Sequence, residues 1–191
     1  IAGIIDFRGR DIDDMTLNRL VQVLAQRGPD DSGTWSYRSG NFSVGFAHTR
    51  LAVIDPTPEA RQPMTDPSGR YALTYNGELY NYQSLRKELP QAARTASDTE
   101  VALQACIAWG PEALKRFNAM WAMCFVDTVN RTGHLSRDPL GIKPLYYIYH
   151  DARLIFASEL STLKCVPDLP LEIDRDALAC YLNLGWIPHP G

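Results

Sequence analysis

MWAMCFVDTVNRTGHLSRDPLGIKPLYYIYHDARLIFAS, residues 120–158, decides the fold. Its head, Met120 to Asp127, is an unbroken apolar run of the length and kind expected of a strand buried on both faces. Three shorter strand signals follow in quick succession: GHLSRD (133–138), PLYYIYH (144–150) and RLIFAS (153–158). Adjacent strands in one run, with the helices elsewhere, favour a layered α+β domain over a Rossmann-like alternation.

Toward the N-terminus from that stretch, Ser97-x-x-Glu100 is a capping box. It opens a helix through VALQACIAWG, which Gly110-Pro111 breaks. Tyr71 to Tyr75 predicts a strand ended by Asn76-Gly77. The segment from Pro56 to Gly69 is rich in proline and polar residues and predicts a long surface loop, a length uncommon unless the loop closes over a ligand. Phe42, Val44 and Phe46 alternate as a strand, with LAVID (51–55) as its continuation, and RGPDDSGTW (27–35) reads as a loop. IAGIIDF (1–7) opens as a short apolar strand. A helix capped by Asp13 or Asp14 follows, with Leu17, Leu20, Val21 and Leu24 on one face, and Gly28-Pro29 stops it. Toward the C-terminus, Asp174 caps a last helix through Leu184.

Composition narrows the function classes. The 191 residues are 45% hydrophobic and 21% charged, as in an ordinary globular chain of one domain, or one domain with an extension. Nineteen basic against 22 acidic side chains leave a net charge of −3, so no basic field recruits nucleic acid or an anionic membrane. No apolar run has the length of a membrane span, and the opening segment meets charge at Asp6 and Arg8, unlike a secretory signal. Cys106, Cys124, Cys165 and Cys180 lie in apolar segments without CxxC spacing and read as free thiols in a reducing, cytoplasmic compartment. The four histidines, His48, His134, His150 and His189, lack metal-ligand spacing, and no metal site is expected.

Several residues carry two readings each. Arg50 is either a surface ion-pair partner or a planar fork for a substrate carboxylate. Asn76-Gly77 is either a type I′ hairpin turn or a donor pair for a developing oxyanion, with glycine allowing close approach. Asp98 either complements the dipole of its helix or accepts from a ligand ammonium. Arg137, Asp138 and Lys143 read as a salt-bridged turn, and Tyr146, Tyr147 and Tyr149 as strand packing.

In order along the chain, RGPDDSG (27–33), AHTRLAVID (47–55), QPM (62–64), YNGELYN (75–81), SDTEV (97–101), RDPLGIKPLYY (137–147) and FASEL (156–160) resemble the glutamine-hydrolysing domain of asparagine synthetase-like proteins. The resemblance runs from Gly3 to about Lys164. It implies the N-terminal nucleophile hydrolase fold, a four-layer αββα sandwich of two antiparallel sheets. It also implies a class II glutamine amidotransferase, in which an N-terminal cysteine attacks the glutamine side-chain amide and its own α-amine serves as base. By position, Arg50 would bind the glutamine carboxylate and Asp98 the ammonium. Asn76 and Gly77 would form the oxyanion hole, and Glu78 would help hold the substrate.

The family begins (Met)-Cys-Gly-Ile where this chain reads Ile1-Ala2-Gly3-Ile4, which sets Ala2 at the nucleophile position. On that register the chain is inactive as written, through a deliberate or recent substitution or through natural decay. The alternative function is a non-catalytic glutamine-binding or purely structural module. Residues 1–170 would be the amidotransferase domain, and 171–191 a connector toward an ATP-dependent synthetase domain not contained in the chain. No cofactor is expected in this domain, with ATP and Mg belonging to the other. Expected partners are glutamine, the synthetase domain and, as an option, a second copy in a homodimer.

Overall fold

The computed structural model describes residues 1–52, 54–55, 57–90, 94–169 and 171–187. Its strands are β1 (Ala2–Asp6), β2 (Asp31–Ser39), β3 (Phe42–Arg50), β4 (Met64–Thr65) and β5 (Tyr71–Leu79), then β6 (Ala119–Asp127), β7 (Thr132–Arg137), β8 (Tyr146–His150) and β9 (Arg153–Ala157). The helices are α1 (Asp14–Leu24), α2 (Tyr82–Glu88), α3 (Asp98–Trp109), α4 (Leu160–Leu163) and α5 (Arg175–Leu184). One sheet has the order β2-β3-β1-β9-β8 and the other β4-β5-β6-β7, and the pairings along both are antiparallel.

Three apolar clusters explain the stacking. Between the sheets lie Ile1, Ile5, Phe42, Val44, Phe46 and Phe156 from the first, against Ala72, Ala122, Cys124 and Val126 from the second. Strand alternation turns the next residues outward. Ala2, Ile4, Ala47 and Ile155 therefore meet Leu17, Leu20 and Leu24 of α1 and Leu163 of α4. On the far side, Leu73, Tyr75 and Met123 meet Leu85 of α2 and Val101, Leu103 and Ala105 of α3. Each sheet thus buries one face on the other sheet and one on helices, which is the αββα sandwich.

Helix α1 needs that packing. Leu17, Leu20 and Leu24 share one face and are fully buried, each contributing about 1.5–3 kcal/mol. The Asp13 carboxylate accepts from the Thr16 N–H at 2.5 Å and caps its start. Helix α3 is buried on all sides from Asp98 to Cys106, so it is apolar without a one-sided stripe. Ser97 caps it by accepting from Thr99 N–H. Glu100 makes no reciprocal bond to Ser97 and instead accepts from the backbone N–H groups of Arg94 and Thr95. Asp174 caps α5 as expected, accepting from Asp176 and Ala177 N–H.

Several expectations are corrected. RGPDDSGTW is not all loop, since Asp31–Ser39 form edge strand β2, paired with β3 over its whole length. β3 ends at Arg50 rather than running on through LAVID, whose Val53 lies outside the described residues. Asn76-Gly77 is no turn, because β5 continues through both to Leu79 and pairs them with Ala122 and Trp121. The 56–69 loop carries a 3-10 turn at Pro58–Ala60 and strand β4, with Pro56 itself outside the described residues. Helix α2 was not foreseen at all. The tyrosines of β8 are exposed on the sheet edge rather than packed. The Asp138 turn is held by backbone, with its carboxylate accepting from Trp121, Ile142 and Lys143 N–H.

Candidate active site

One end of the space between the sheets opens into a cleft of about 270 Å³, near the small end of ligand pockets and sized for a compact polar molecule. Arg50, Asn76, Gly77, Glu78 and Asp98 all line it, together with Ile1, Arg27, His48, Gln62, Tyr75 and Lys143. Five of the six residues singled out from sequence therefore converge. Ala2 does not: its side chain is in the cluster under α1, on the opposite face of β1 from Ile1.

Arg50 is the last residue of β3 and is buried. Two of its guanidinium nitrogens donate to the carbonyls of Asp55 and Thr57, which orient the fork and tie it to the following loop. Asp55 anchors that loop in turn: its carboxylate accepts from Thr57 N–H and Oγ1 and from Ala96 N–H just ahead of α3. These bonds hold the Asp55 carboxyl below its ordinary pKa.

β5 supplies the centre of the site through its free edge. Gln62 acts as a substitute strand there, its Nε2 donating to the Tyr75 carbonyl at 3.0 Å and its Oε1 accepting from Tyr75 N–H at 2.7 Å. Two pairs further on, Leu79 N–H donates to Asp98 Oδ2 at 2.9 Å. Strand alternation aims the Gly77 N–H out of the same edge, between Gln62 and Asp98 and over the cleft. A Cβ on Gly77 would stand 2.3 Å from the Met120 carbonyl oxygen and 2.7 Å from Tyr75 Cζ, so only glycine fits. The Asn76 Nδ2 is buried with no hydrogen-bond partner among the described residues. In a native structure an orphaned donor of this kind asks for an explanation.

Asp98 sits in the first turn of α3, and burial pushes its carboxyl above the ordinary value despite the backbone N–H groups that oppose the shift. On the far wall the Ile1 nitrogen donates to Ser158 Oγ at 3.2 Å. Arg27 pairs with Glu159 at 3.1 Å and reaches the cleft because Gly28 packs directly on the Arg50 backbone, where a Cβ would come within 2.4 Å of the Arg50 nitrogen. The Asp138 turn presents Lys143 at the rim.

Sequence reasoning passed over Arg27, His48, Gln62 and Lys143 as site residues. All four lie inside the motifs quoted above, which is the signal that could have found them. Among the described residues no cluster of three or more His, Cys, Asp or Glu could hold a metal, and no helix is long and apolar enough to cross a membrane. The four cysteines are free, and none lines the cleft. Burial pushes the thiols of Cys106, to about 12, and of Cys124 well above the ordinary value, which keeps both unreactive.

Comparison with known proteins gives a family and a fold. The sequence matches the glutamine amidotransferase domain family over residues 1–191. It is 37% identical over 198 residues to asparagine synthetase (glutamine-hydrolysing) 3 of Bacillus subtilis, covering all of this chain and 31% of that protein. It is 36% identical over 206 residues to a Methanocaldococcus jannaschii protein assigned to the same activity, covering all of this chain and 40% of that one. The chain thus spans less than half the length of these relatives. Among solved structures, glutamine phosphoribosylpyrophosphate amidotransferase from B. subtilis superposes with a TM-score of 0.64 at 19% identity, over 85% of this chain and 43% of that one. An allosteric regulatory enzyme of purine biosynthesis gives 0.65 at 20%, with the same coverage. Those two likenesses carry the fold alone.

Proposed function

The chain belongs to the glutamine amidotransferase domain family, and from that premise we propose that its cleft binds glutamine and presents the side-chain amide for attack. Arg50 takes the α-carboxylate through its fork, and Asp98, helped by Glu78, takes the ammonium. Attack on the amide carbon drives negative charge onto the amide oxygen, where Asn76 Nδ2 and Gly77 N–H are aimed to receive it. Preorganised donors of this kind contribute about 2.7–4 kcal/mol each to transition-state stabilisation. Collapse of the adduct releases ammonia, and water then frees glutamate from the acyl intermediate. The observation that carries this reading is the unpartnered, buried Asn76 Nδ2 in a cleft that also holds an arginine and a desolvated carboxylate.

The nucleophile does not belong at Ala2 on this reading. A thiol there would point under α1, away from Asn76 and Gly77. Aligning the family's Cys-Gly-Ile start on the cleft instead matches its isoleucine to Ile1. The thiol then falls two residues ahead of Ile1 on the side of β1 that Ile1 and Ile5 share, facing the cleft. Ala2 is then a core residue, and its identity does not decide activity.

We read 171–191 as a connector to a synthetase domain that receives the ammonia, of which 188–191 lie outside the described residues. ATP and Mg²⁺ serve that domain, which activates the accepting carboxylate. Free thiols accord with a cytoplasmic setting. Isothermal calorimetry with glutamine tests the binding step. Glutamine binds the wild type, and Arg50→Ala weakens it by about 1.5–3 kcal/mol, the scale of a charged hydrogen bond. Absence of glutamine binding by the folded wild type would instead favour a purely structural module.

A further inference from the structure

We propose that His48 and Thr74 form a clasp between the two sheets that sets the spacing of Arg50 and Asn76, and with it the length of ligand the cleft accepts. The inference rests on the glutamine-binding reading of that cleft. His48 Nδ1 and Thr74 Oγ1 lie 3.2 Å apart, buried, one on β3 and the other on β5. The two strands belong to different sheets. This bond therefore crosses the interior of the sandwich, where the neighbouring contacts of Phe46 and Ala72 are apolar and non-directional.

Its position gives it a further role. His48 stands two residues before Arg50, and Thr74 two residues before Asn76, so on each strand the clasp and the ligand-facing residue share a face. Two residues of strand span about 6.6–6.8 Å. The carboxylate fork and the amide donor are thus each carried one short, stiff step beyond a directional bond between their strands. Apolar packing alone leaves two sheets free to slide by fractions of an ångström, whereas a hydrogen bond weakens steeply when its geometry is lost. Burial, with the positive charge of Arg50, keeps the His48 imidazole uncharged, so it adds no second buried cation beside Arg50. His48 and Thr74 are positioning residues on this account, since the bond they make is to each other.

Ligand length is the readout that separates positioning from mere support. Glutamine and asparagine carry the same ammonium, carboxylate and amide and differ by one methylene. Calorimetry on the wild type, Thr74→Val, Thr74→Ser and His48→Asn, with both ligands and a thermal melt for each, tests the clasp. The wild type prefers glutamine. Thr74→Val keeps the shape without the hydroxyl and lowers the glutamine-to-asparagine affinity ratio about fivefold, the share of one net hydrogen bond of about 1 kcal/mol. Thr74→Ser restores the ratio, and His48→Asn, which keeps a polar atom near Nδ1, retains part of it. An unchanged ratio in Thr74→Val, whether or not its melting temperature falls, overturns the proposal while leaving glutamine binding intact. A wild type that binds no glutamine overturns the glutamine reading and the clasp with it.

Discussion

Asn76→Leu is expected to make the protein more stable and unable to use glutamine. The Nδ2 of Asn76 is buried without a partner among the described residues, and an unsatisfied buried polar group costs about 1–3 kcal/mol. Leucine has nearly the same shape, and the side chain faces a cleft, so the substitution opens no cavity in the core. Removing the orphan returns that cost. For a chain of this length each kcal/mol moves the melting temperature by about 2–4 °C, so the free variant melts higher by about 2–12 °C. Adding glutamine raises the wild-type melting temperature by mass action and raises the variant's by less, since Arg50 and Asp98 remain but the contact to the amide oxygen is lost. Differential scanning calorimetry with and without glutamine measures both effects. A variant that is destabilised by more than about 1 kcal/mol, or that still responds to glutamine like the wild type, would show that Asn76 is a structural residue and that the oxyanion assignment is wrong.

Gly77→Ala forces a Cβ against the Met120 carbonyl and the Tyr75 ring; the expected loss is about 1–3 kcal/mol of stability by overpacking, with weaker glutamine binding as the Gly77 N–H is pushed out of line, both read in a melt and a titration. Because burial raises the Asp98 carboxyl, glutamine affinity falls as pH drops through a range above that of an ordinary aspartate, when the anion facing the ammonium is lost. Asp98→Asn binds weakly at every pH, and a wild-type titration with no pH dependence refutes the assignment. Joining Cys-Gly to the Ile1 nitrogen yields glutamate release from glutamine, whereas Ala2→Cys by itself stays silent; activity from Ala2→Cys alone would return the nucleophile to position 2.

What was legible in the sequence depended on local pattern. β6 announced itself as an apolar run, α1 by its leucine spacing and its aspartate cap, and α5 by Asp174. β2 escaped because it is an edge strand, whose head Asp31-Ser32-Gly33 has the polar, small composition of a loop and pairs only because β3 offers a free edge. Asn76-Gly77 carries the strongest short turn signal there is, yet the glycine is needed for room beside Met120 and not for a left-handed backbone. The cleft residues were legible through their motifs. Their supports were not, because Gln62 on Tyr75 and His48 on Thr74 exist only once strand register and sheet stacking are set. That the Ala2 side chain faces the core under α1 was hidden for the same reason, since a one-residue difference along a strand exchanges cleft for core.

The space between the sheets is graded, and the grading explains how one architecture serves both stability and chemistry. At one end Phe42, Val44 and Phe46 meet Ala72, Cys124 and Val126, an apolar core in which losing an aromatic side chain costs about 3–5 kcal/mol. Two residues further along β3 and β5 the contact is His48 to Thr74, polar but satisfied within the protein. Two residues further again stand Arg50 and Asn76, polar and, for the Asn76 amide, left unsatisfied. On the glutamine-binding proposal, apolar burial holds the strands together, the paired polar layer fixes their relative height, and the Asn76 amide is left to a ligand. A binding residue at the far end can therefore be costly to its own fold, because the stability it forgoes is supplied by the two layers behind it.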